Sequence, residues 1–238
     1  MDDQGPNARP VPPGWTVTRV TETGSTNADL LADAAALPDR SVLVAAHQTA
    51  GRGRLDRRWE APAGANLLVS ILFHEVPAHP SELTRRVALA AADACREVSG
   101  VEVTLKWPND LLVGDAKLAG ILAERNAGGA VVVGMGLNVG WAPPGAARIA
   151  TLETEATLTP DVVLTAFLAA YDALPVECHE RYRAALGTLG RRVRVELPTG
   201  FLEGTATDVE PDGRLVVIDT CAVTHRLAAG DVVHLRPA

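Results

Sequence analysis

Lys106-Trp-Pro-Asn-Asp110-Leu-Leu-Val113-Gly-Asp-Ala-Lys117-Leu-Ala-Gly120-Ile-Leu-Ala-Glu124 decides the fold class of this chain. Pro108 ends an extended run that begins near Val101, because the residue before a proline is pushed toward β backbone. Leu111 to Val113 and Leu118 to Glu124 read as the next two strands, and Ala130 to Leu137 as a fourth. Strict alternation would put Lys117, Ala119, Ile121 and Ala123 on one face, with Leu118, Gly120, Leu122 and Glu124 on the other. Such hairpin-like neighbours predict an α+β fold with a mixed sheet, and argue against a regular βαβ repeat.

Working outward, Trp15 to Val20, Ser41 to Gln48 and Asn66 to Phe73 read as strands. Ser25 to Ala36 reads as a helix entered through a Ser/Thr/Asn cap. Ser81 to Val98 has apolar positions at Leu83, Val87, Ala91, Ala94 and Val98, a helical stripe. Residues 1–14 read as a disordered leader, too short for a helix-turn-helix domain, and 139–151 as a long loop of the kind that is often functional. Thr159-Pro-Asp starts a helical stretch that runs to about Gly187 with a break at Pro175. Beyond it come five short strands, Arg192 to Leu197, Gly204 to Val209, Arg214 to Asp219, Val223 to Leu227 and Val232 to Leu235, the texture of a small barrel. The predicted units are therefore 15–187 and 188–238.

With 47% hydrophobic and 21% charged residues among 238, the chain has the composition of a soluble globular protein with ample core. No apolar run is long enough to cross a membrane and the N-terminus has no signal-peptide pattern, so a cytoplasmic location is expected. Cys95, Cys178 and Cys221 are widely spaced and lack metal-ligand spacing, which predicts buried free thiols and no metal site built by the protein. A net charge of -7 disfavours nonspecific DNA binding, so any anion site must be a local cluster of cations. Lys106 and Lys117 are the only lysines among 22 basic residues. A compact ammonium can follow an oxygen whose charge changes during a reaction, but two ordinary solvated lysines fit the count as well.

Four segments could carry chemistry. Gln48-Thr-Ala-Gly51-Arg52-Gly53-Arg54-Leu-Asp-Arg57-Arg58-Trp59 combines glycines that let backbone N–H groups approach a ligand with four arginines suited to phosphate or carboxylate. Trp59 at its end could close over a ring or a cation; the alternatives are a solvated turn and a nucleic-acid patch. Lys106-Trp-Pro-Asn-Asp110 places a cation, an amide and a carboxylate on one bend, or is a structural turn. Lys117 at the head of Leu-Ala-Gly120 either snorkels to water or sits beside a substrate anion. Gly134-Met-Gly136-Leu-Asn138 lacks the dinucleotide fingerprint, yet leaves room for a flat ligand whose purine edge Asn138 could read.

Taken in order, Ser25-Thr26-Asn27, Gln48-x-x-Gly51-Arg52-Gly53-Arg54, Lys106-Trp-Pro-Asn-Asp110, Lys117-Leu-Ala-Gly120 and Gly136-Leu-Asn138 resemble the motifs of biotin protein ligases, over about residues 15–236. The resemblance implies a mixed-sheet catalytic domain flanked by helices, related to class II synthetases, with a C-terminal SH3-like β-barrel. It implies a two-step reaction in which biotin, ATP and Mg²⁺ give biotinyl-5'-AMP, and a lysine of a biotin carboxyl carrier protein of an acyl-CoA carboxylase then takes the biotin. By the same resemblance Ser25, Thr26, Asn27 and Gln48 hold biotin, with Gly51, Gly53 and Gly120 permitting close approach. Arg52, Arg54 and Lys117 are the candidates to neutralise charge, and Asp110 could orient the incoming lysine or accept its proton, or instead bind Mg²⁺ or only brace the turn. Arg54, Trp59, Lys106 and Asn138 join Arg52 on the nucleotide. A monomer and a homodimer both stay open, since the free edge of a mixed sheet could be covered or paired, and a repressor role is not expected. A lipoate or octanoate ligase or transferase of the same fold, and a non-enzymatic anion-binding module, are the competing readings.

Overall fold

The computed structural model describes residues 10–235 except 152, 153, 155, 156 and 199. Most of the predicted leader lies outside the described residues. Along the chain the elements are β1 (Thr16–Thr23), α1 (Thr26–Asp33), β2 (Ser41–Gln48), β3 (Leu67–Phe73), α2 (Ser81–Ser99), β4 (Thr104–Lys106), β5 (Asp110–Val113), β6 (Ala116–Arg125) and β7 (Val131–Leu137). After them come α3 (Pro160–Ala173), α4 (His179–Ala185), β8 (Arg192–Leu197), β9 (Gly200–Val209), β10 (Leu215–Asp219), β11 (Thr224–Leu227) and β12 (Asp231–His234).

β1 to β7 form one sheet in the order β1-β2-β3-β7-β6-β5-β4. Only β1 and β2 run parallel; every other neighbour is antiparallel. This is the mixed sheet the hairpin-like runs predict. β3 sits near its middle and is buried at all seven positions, as a strand covered on both faces must be. On one face α2 and α3 pack together over Val69, Ile71, Val131 and Val133. On the other, Leu30 and Ala34 of α1 cover Leu43, Leu72 and Val132. The stripe read for α2 is correct, with Leu83, Val87, Ala91 and Ala94 buried and Val98 partly so. Thr159 caps α3 by accepting from the Val162 amide, and α3 ends at Ala173, just before Pro175.

Three expectations need correcting. The last five strands form an antiparallel sheet in the order β11-β10-β9-β8-β12, and among the described residues it does not close into a barrel. The ten-residue β9 serves two hairpins, pairing through 200–205 with β8 and through 204–209 with β10. That leaves the four-residue strands β11 and β12 as separate edges. Cys95 and Cys178 are buried, but Cys221 is exposed, because it lies in the β10–β11 turn. Third, β6 does not keep strict period two. Leu111 pairs with Ala119 while Leu112 pairs with Lys117, so Leu118 is an inserted residue, a β-bulge that shifts the alternation.

The C-terminal sheet is fastened to the rest of the chain at the Pro211-Asp-Gly213 turn. Arg85 Nη2 donates to the Pro211 carbonyl at 2.7 Å, Ser81 Oγ to that of Asp212 at 2.7 Å, and Trp107 Nε1 to that of Gly213 at 2.9 Å. A further seam joins Thr188 Oγ1 to the Trp107 amide and to His234 Nε2, each at 3.1 Å.

Candidate active site

The β-bulge decides what faces the larger cavity. Without it, Lys117 and Gly120 would point to opposite sides; with it, both line a cavity of about 500 Å³ above the sheet face that α2 and α3 leave free. Gly120 pairs with Gly136, Leu122 with Gly134 and Gly134 with Ser70, so the floor is largely backbone. The glycines are needed for contact. A Cβ on Gly136 would lie 2.3 Å from Trp59 Cε2, and one on Gly134 would lie 2.1 Å from Asn27 Oδ1.

One end of the cavity is a buried polar chain. Gln48 Oε1 accepts from the Thr26 amide at 2.8 Å, taking the place of a Ser25 side-chain cap. Thr26 Oγ1 lies 2.7 Å from Ser70 Oγ, which donates to Asn27 Oδ1 at 2.6 Å. Asn27 Nδ2 in turn donates to the Leu122 carbonyl at 3.1 Å and to Glu124 Oε2 at 2.8 Å. Thr26 Oγ1 also lies 3.1 Å from Gln48 Oε1, which can only accept, and Ser70 gives its own proton to Asn27, so the one Thr26 proton is shared between Gln48 and Ser70. Thr26 Oγ1 therefore keeps acceptor capacity toward the cavity. Ser25, buried and lining the cavity, has a hydroxyl that takes part in no hydrogen bond among the described residues.

The other end is cationic. Gly51 to Trp59 folds back as a small hairpin: the Trp59 amide donates to the Gly51 carbonyl at 3.1 Å and Arg52 bridges Arg58. Leu55 and Asp56 at its tip have φ of 55° and 57°, the left-handed region. Arg52 Nη2 pairs with Glu124 Oε2 at 2.9 Å, so the polar chain ends on this loop. Arg54 donates to Asn109 Oδ1 at 3.1 Å and to the Gly230 carbonyl at 3.0 Å, and Arg57 pairs with Asp231. Burial lowers the Arg54 pKa from its ordinary value, opposed by Asp231 and Asp110. Lys117 Nζ sits 2.6 Å from Asp110 Oδ1 and 5.7 Å from the centre of the Trp59 ring. That ring lies on the Gly120–Gly136 floor with its Nε1 buried and without a hydrogen-bond partner among the described residues.

Of the residues singled out in the sequence, Ser25, Thr26, Asn27, Gln48, Arg52, Gly53, Arg54, Trp59, Asp110, Lys117, Gly120 and Asn138 come together around this cavity. Gly51 is not in its wall; a Cβ there would meet the Trp59 carbonyl at 2.3 Å, so Gly51 closes the loop. Lys106 is not in the wall either, and its charge acts on His234 at the seam. Asn138 is buried, accepts from Asn66 Nδ2 at 3.1 Å and donates to the Ala147 carbonyl at 2.9 Å, so half of its amide braces the loop after β7. Sequence reasoning missed Ser70, whose signal was a lone hydroxyl in an apolar strand. It also missed Asp231, which comes from the C-terminal sheet and has no local signal.

Residues 16–140 match the biotin/lipoate A/B protein ligase family, and residues 188–235 match the biotin protein ligase C-terminal domain. The chain is 42% identical to a biotin–[acetyl-CoA-carboxylase] ligase of Mycobacterium tuberculosis, over 94% of its own length and 91% of that protein's. It is 36% identical to the bifunctional ligase/repressor BirA of Escherichia coli, over 53% of its own length and 41% of that protein's. Among solved structures, a biotin protein ligase from Aquifex aeolicus in complex with biotin and ATP shares the fold, with a TM-score of 0.77 at 24% identity, covering 93% of this chain and 99% of that one.

Proposed function

The chain belongs to the biotin/lipoate A/B protein ligase family, and on that premise we propose that it is an ATP-dependent biotin protein ligase whose acceptor is the biotin carboxyl carrier protein of an acyl-CoA carboxylase. The observation that carries this reading is a single glycine-floored cavity with neutral hydrogen-bonding groups at one end and Lys117, Arg52 and Arg54 at the other. Ser25, Thr26 and Gln48 suit the ureido ring of biotin, which offers two N–H donors and a carbonyl. A lipoyl or octanoyl chain offers none of these, and burying such a clamp against it would leave polar groups unpaired at a cost of about 1–3 kcal/mol each.

In the first step an oxygen of the biotin carboxylate attacks the α-phosphorus of ATP. The bond to the bridging oxygen breaks and pyrophosphate departs with that electron pair, leaving the acyl-phosphate anhydride biotinyl-5'-AMP. Two anions must meet, so the work of the protein is electrostatic. Arg54 is held by two neutral acceptors, and its charge is left for the ligand. Lys117 is paired with Asp110, but at 41% and 17% side-chain exposure such a pair is worth only about 0–1 kcal/mol, so exchange of the carboxylate for phosphate oxygens is easy. In the second step the acceptor amine attacks the acyl carbon and AMP leaves. Asp110, freed as Lys117 turns to the phosphate, takes the amine proton. Trp59 rises from the floor when the ligand enters and then covers it, keeping water from the anhydride.

Mg²⁺ fits this site as a companion of the nucleotide. Asp110 and Asp231 line the cavity, and an ion held mainly by phosphates and water needs only one or two carboxylates. Bound there, it would neutralise phosphate charge. The unit 15–187 then carries the chemistry, and the unit from 188 adds Asp231 to the wall and holds Arg54 through the Gly230 carbonyl.

The reading is tested by incubating the protein with biotin, ATP and the purified carrier domain. Addition of one biotinyl mass to a single carrier lysine, with AMP released in equal amount, is expected. An unmodified carrier alongside steady AMP release from ATP and another acid would contradict it.

A further inference from the structure

A second cavity, of about 250 Å³, lies behind the first, between the start of α2, the Trp107–Asn109 turn, Tyr182 of α4 and the two turns of the C-terminal sheet at Gly213 and Ala228–Ala229. Its wall contains Arg54 and Arg85 and, among the described residues, neither Asp nor Glu. In a chain of net charge -7, a half-open space with two guanidinium side chains in its wall is an unusual local field, even though Asp231 and Asp110 act on Arg54 from the other side.

Arg85 is the more telling of the two. It is only 5% exposed, and its partners are the Pro211 carbonyl, His179 Nδ1 at 3.3 Å and the face of Tyr182, none of them an anion. Its Nε is buried without a hydrogen-bond partner among the described residues. A buried guanidinium normally has a carboxylate to offset its lost hydration, and a buried donor left unpaired costs about 1–3 kcal/mol. Ser81 and Thr84 beside it belong, like Arg85, to the first two turns of the 19-residue α2, and Pro80 before them provides no side-chain cap. The helix adds its positive end to the same space, offset in part by Glu82 in its first turn. Arg54, Asn109, Ile121 and Leu122 line both cavities, so Arg54 stands as the partition between them.

We propose that this rear chamber is a second anion site, specific for phosphate-class anions, whose occupant draws on Arg54 from behind the adenylation cavity. The inference rests on the ligase reading for its consequence: an anion in the chamber competes with the nucleotide for Arg54 and slows adenylation. Pyrophosphate released by the reaction and free inorganic phosphate present the same oxygens, so both are candidates for the occupant.

The test is calorimetric titration of the purified full chain, with biotin present, using sodium pyrophosphate in one series and inorganic phosphate in another. Ala229→Glu places a carboxylate at the chamber mouth on an exposed turn, leaving Arg85 and its brace intact, and Ala229→Gln is its neutral control. Arg85→Gln removes the cation itself. The expected result is anion binding weakened at least about tenfold by Ala229→Glu and by Arg85→Gln, and unchanged by Ala229→Gln, with melting temperature and biotin affinity preserved in both Ala229 variants. An effect confined to pyrophosphate would identify the leaving group as the occupant, and an equal effect on phosphate would identify the free ion. Wild-type affinities for both anions in Ala229→Glu and Arg85→Gln, or no anion binding by the wild type, would overturn the proposal. Because calorimetry needs no turnover, failure of the ligase reading would show separately, as a wild-type protein that binds anions but makes no biotinyl-5'-AMP.

Discussion

Lys117 owes its importance to the exchange it can make. Held 2.6 Å from Asp110 on a half-open surface, it contributes little to folding, whereas a cation at the scissile phosphate acts where charge develops in the transition state. Lys117→Ala should lower the rate of biotinyl-5'-AMP formation about 10²–10³-fold while biotin still binds and the melting temperature stays within a few degrees; rapid adenylation by that variant would remove Lys117 from the reaction. Gly134 makes the opposite kind of prediction. Its Cβ would overlap Asn27 Oδ1, so Gly134→Ala should break the Thr26–Ser70–Asn27–Glu124 chain, weaken biotin binding and cost about 1–3 kcal/mol of stability by denaturant unfolding. Residue type alone singled out Lys117, because a cation is what this chemistry needs, and the resemblance of the motifs pointed to Thr26 and Gln48. Neither could show that Asn27 is turned toward Leu122 and Glu124, since the direction of an amide is set by partners that are nearly a hundred residues away in sequence.

At the scale of elements, the bulge in β6 and the hairpin from Gly51 to Trp59 build the site between them. The strands around Pro108 were legible from their apolar runs, but the bulge was not. Alternation predicts a face, and an inserted residue shows only when the partner strand is in place. This is why strict period two put Lys117 on the wrong side of Gly120. The hairpin is held from outside by the C-terminal sheet, through Arg54 to the Gly230 carbonyl and Arg57 to Asp231. Asp231→Asn should loosen that hold, so limited trypsin digestion of the ligand-free protein should cut after Arg57 and Arg58 several times faster than in the wild type, with the remaining sites unaffected. An unchanged digestion pattern would mean that the ion pair does not order the loop.

For the molecule as a whole, the seam between the two sheets is the feature least visible in the sequence, because every bond in it joins distant positions. The five short strands announced a small β unit, but whether they close or stay open depends on pairings that turn residues do not specify. His234 lies in this seam, between Thr188 and Arg191. Burial, with Arg191 and Lys106 nearby, pushes its pKa down to about 4. Arg191 can only donate to Nδ1, so Nε2 carries the proton to Thr188 and the neutral ring is the bound form. Unfolded, the ring would take up a proton near its ordinary value of 6.5. The unfolded chain thus binds more protons as pH falls from about 6.5 to 4, and stability is lost across that window. The difference in unfolding free energy between wild type and His234→Gln should shrink as pH is lowered through that range, while other carboxylates titrate equally in both. A difference independent of pH would mean that the ring is not held neutral.

The central claim is that one cavity activates biotin with ATP. Its most direct test is exchange of labelled pyrophosphate into ATP by the purified protein without any carrier, with biotin, lipoate and octanoate supplied in parallel. The account predicts exchange that depends on biotin and is near background with the other two acids. Exchange driven equally by lipoate or octanoate, or none with biotin from a folded protein, would contradict it.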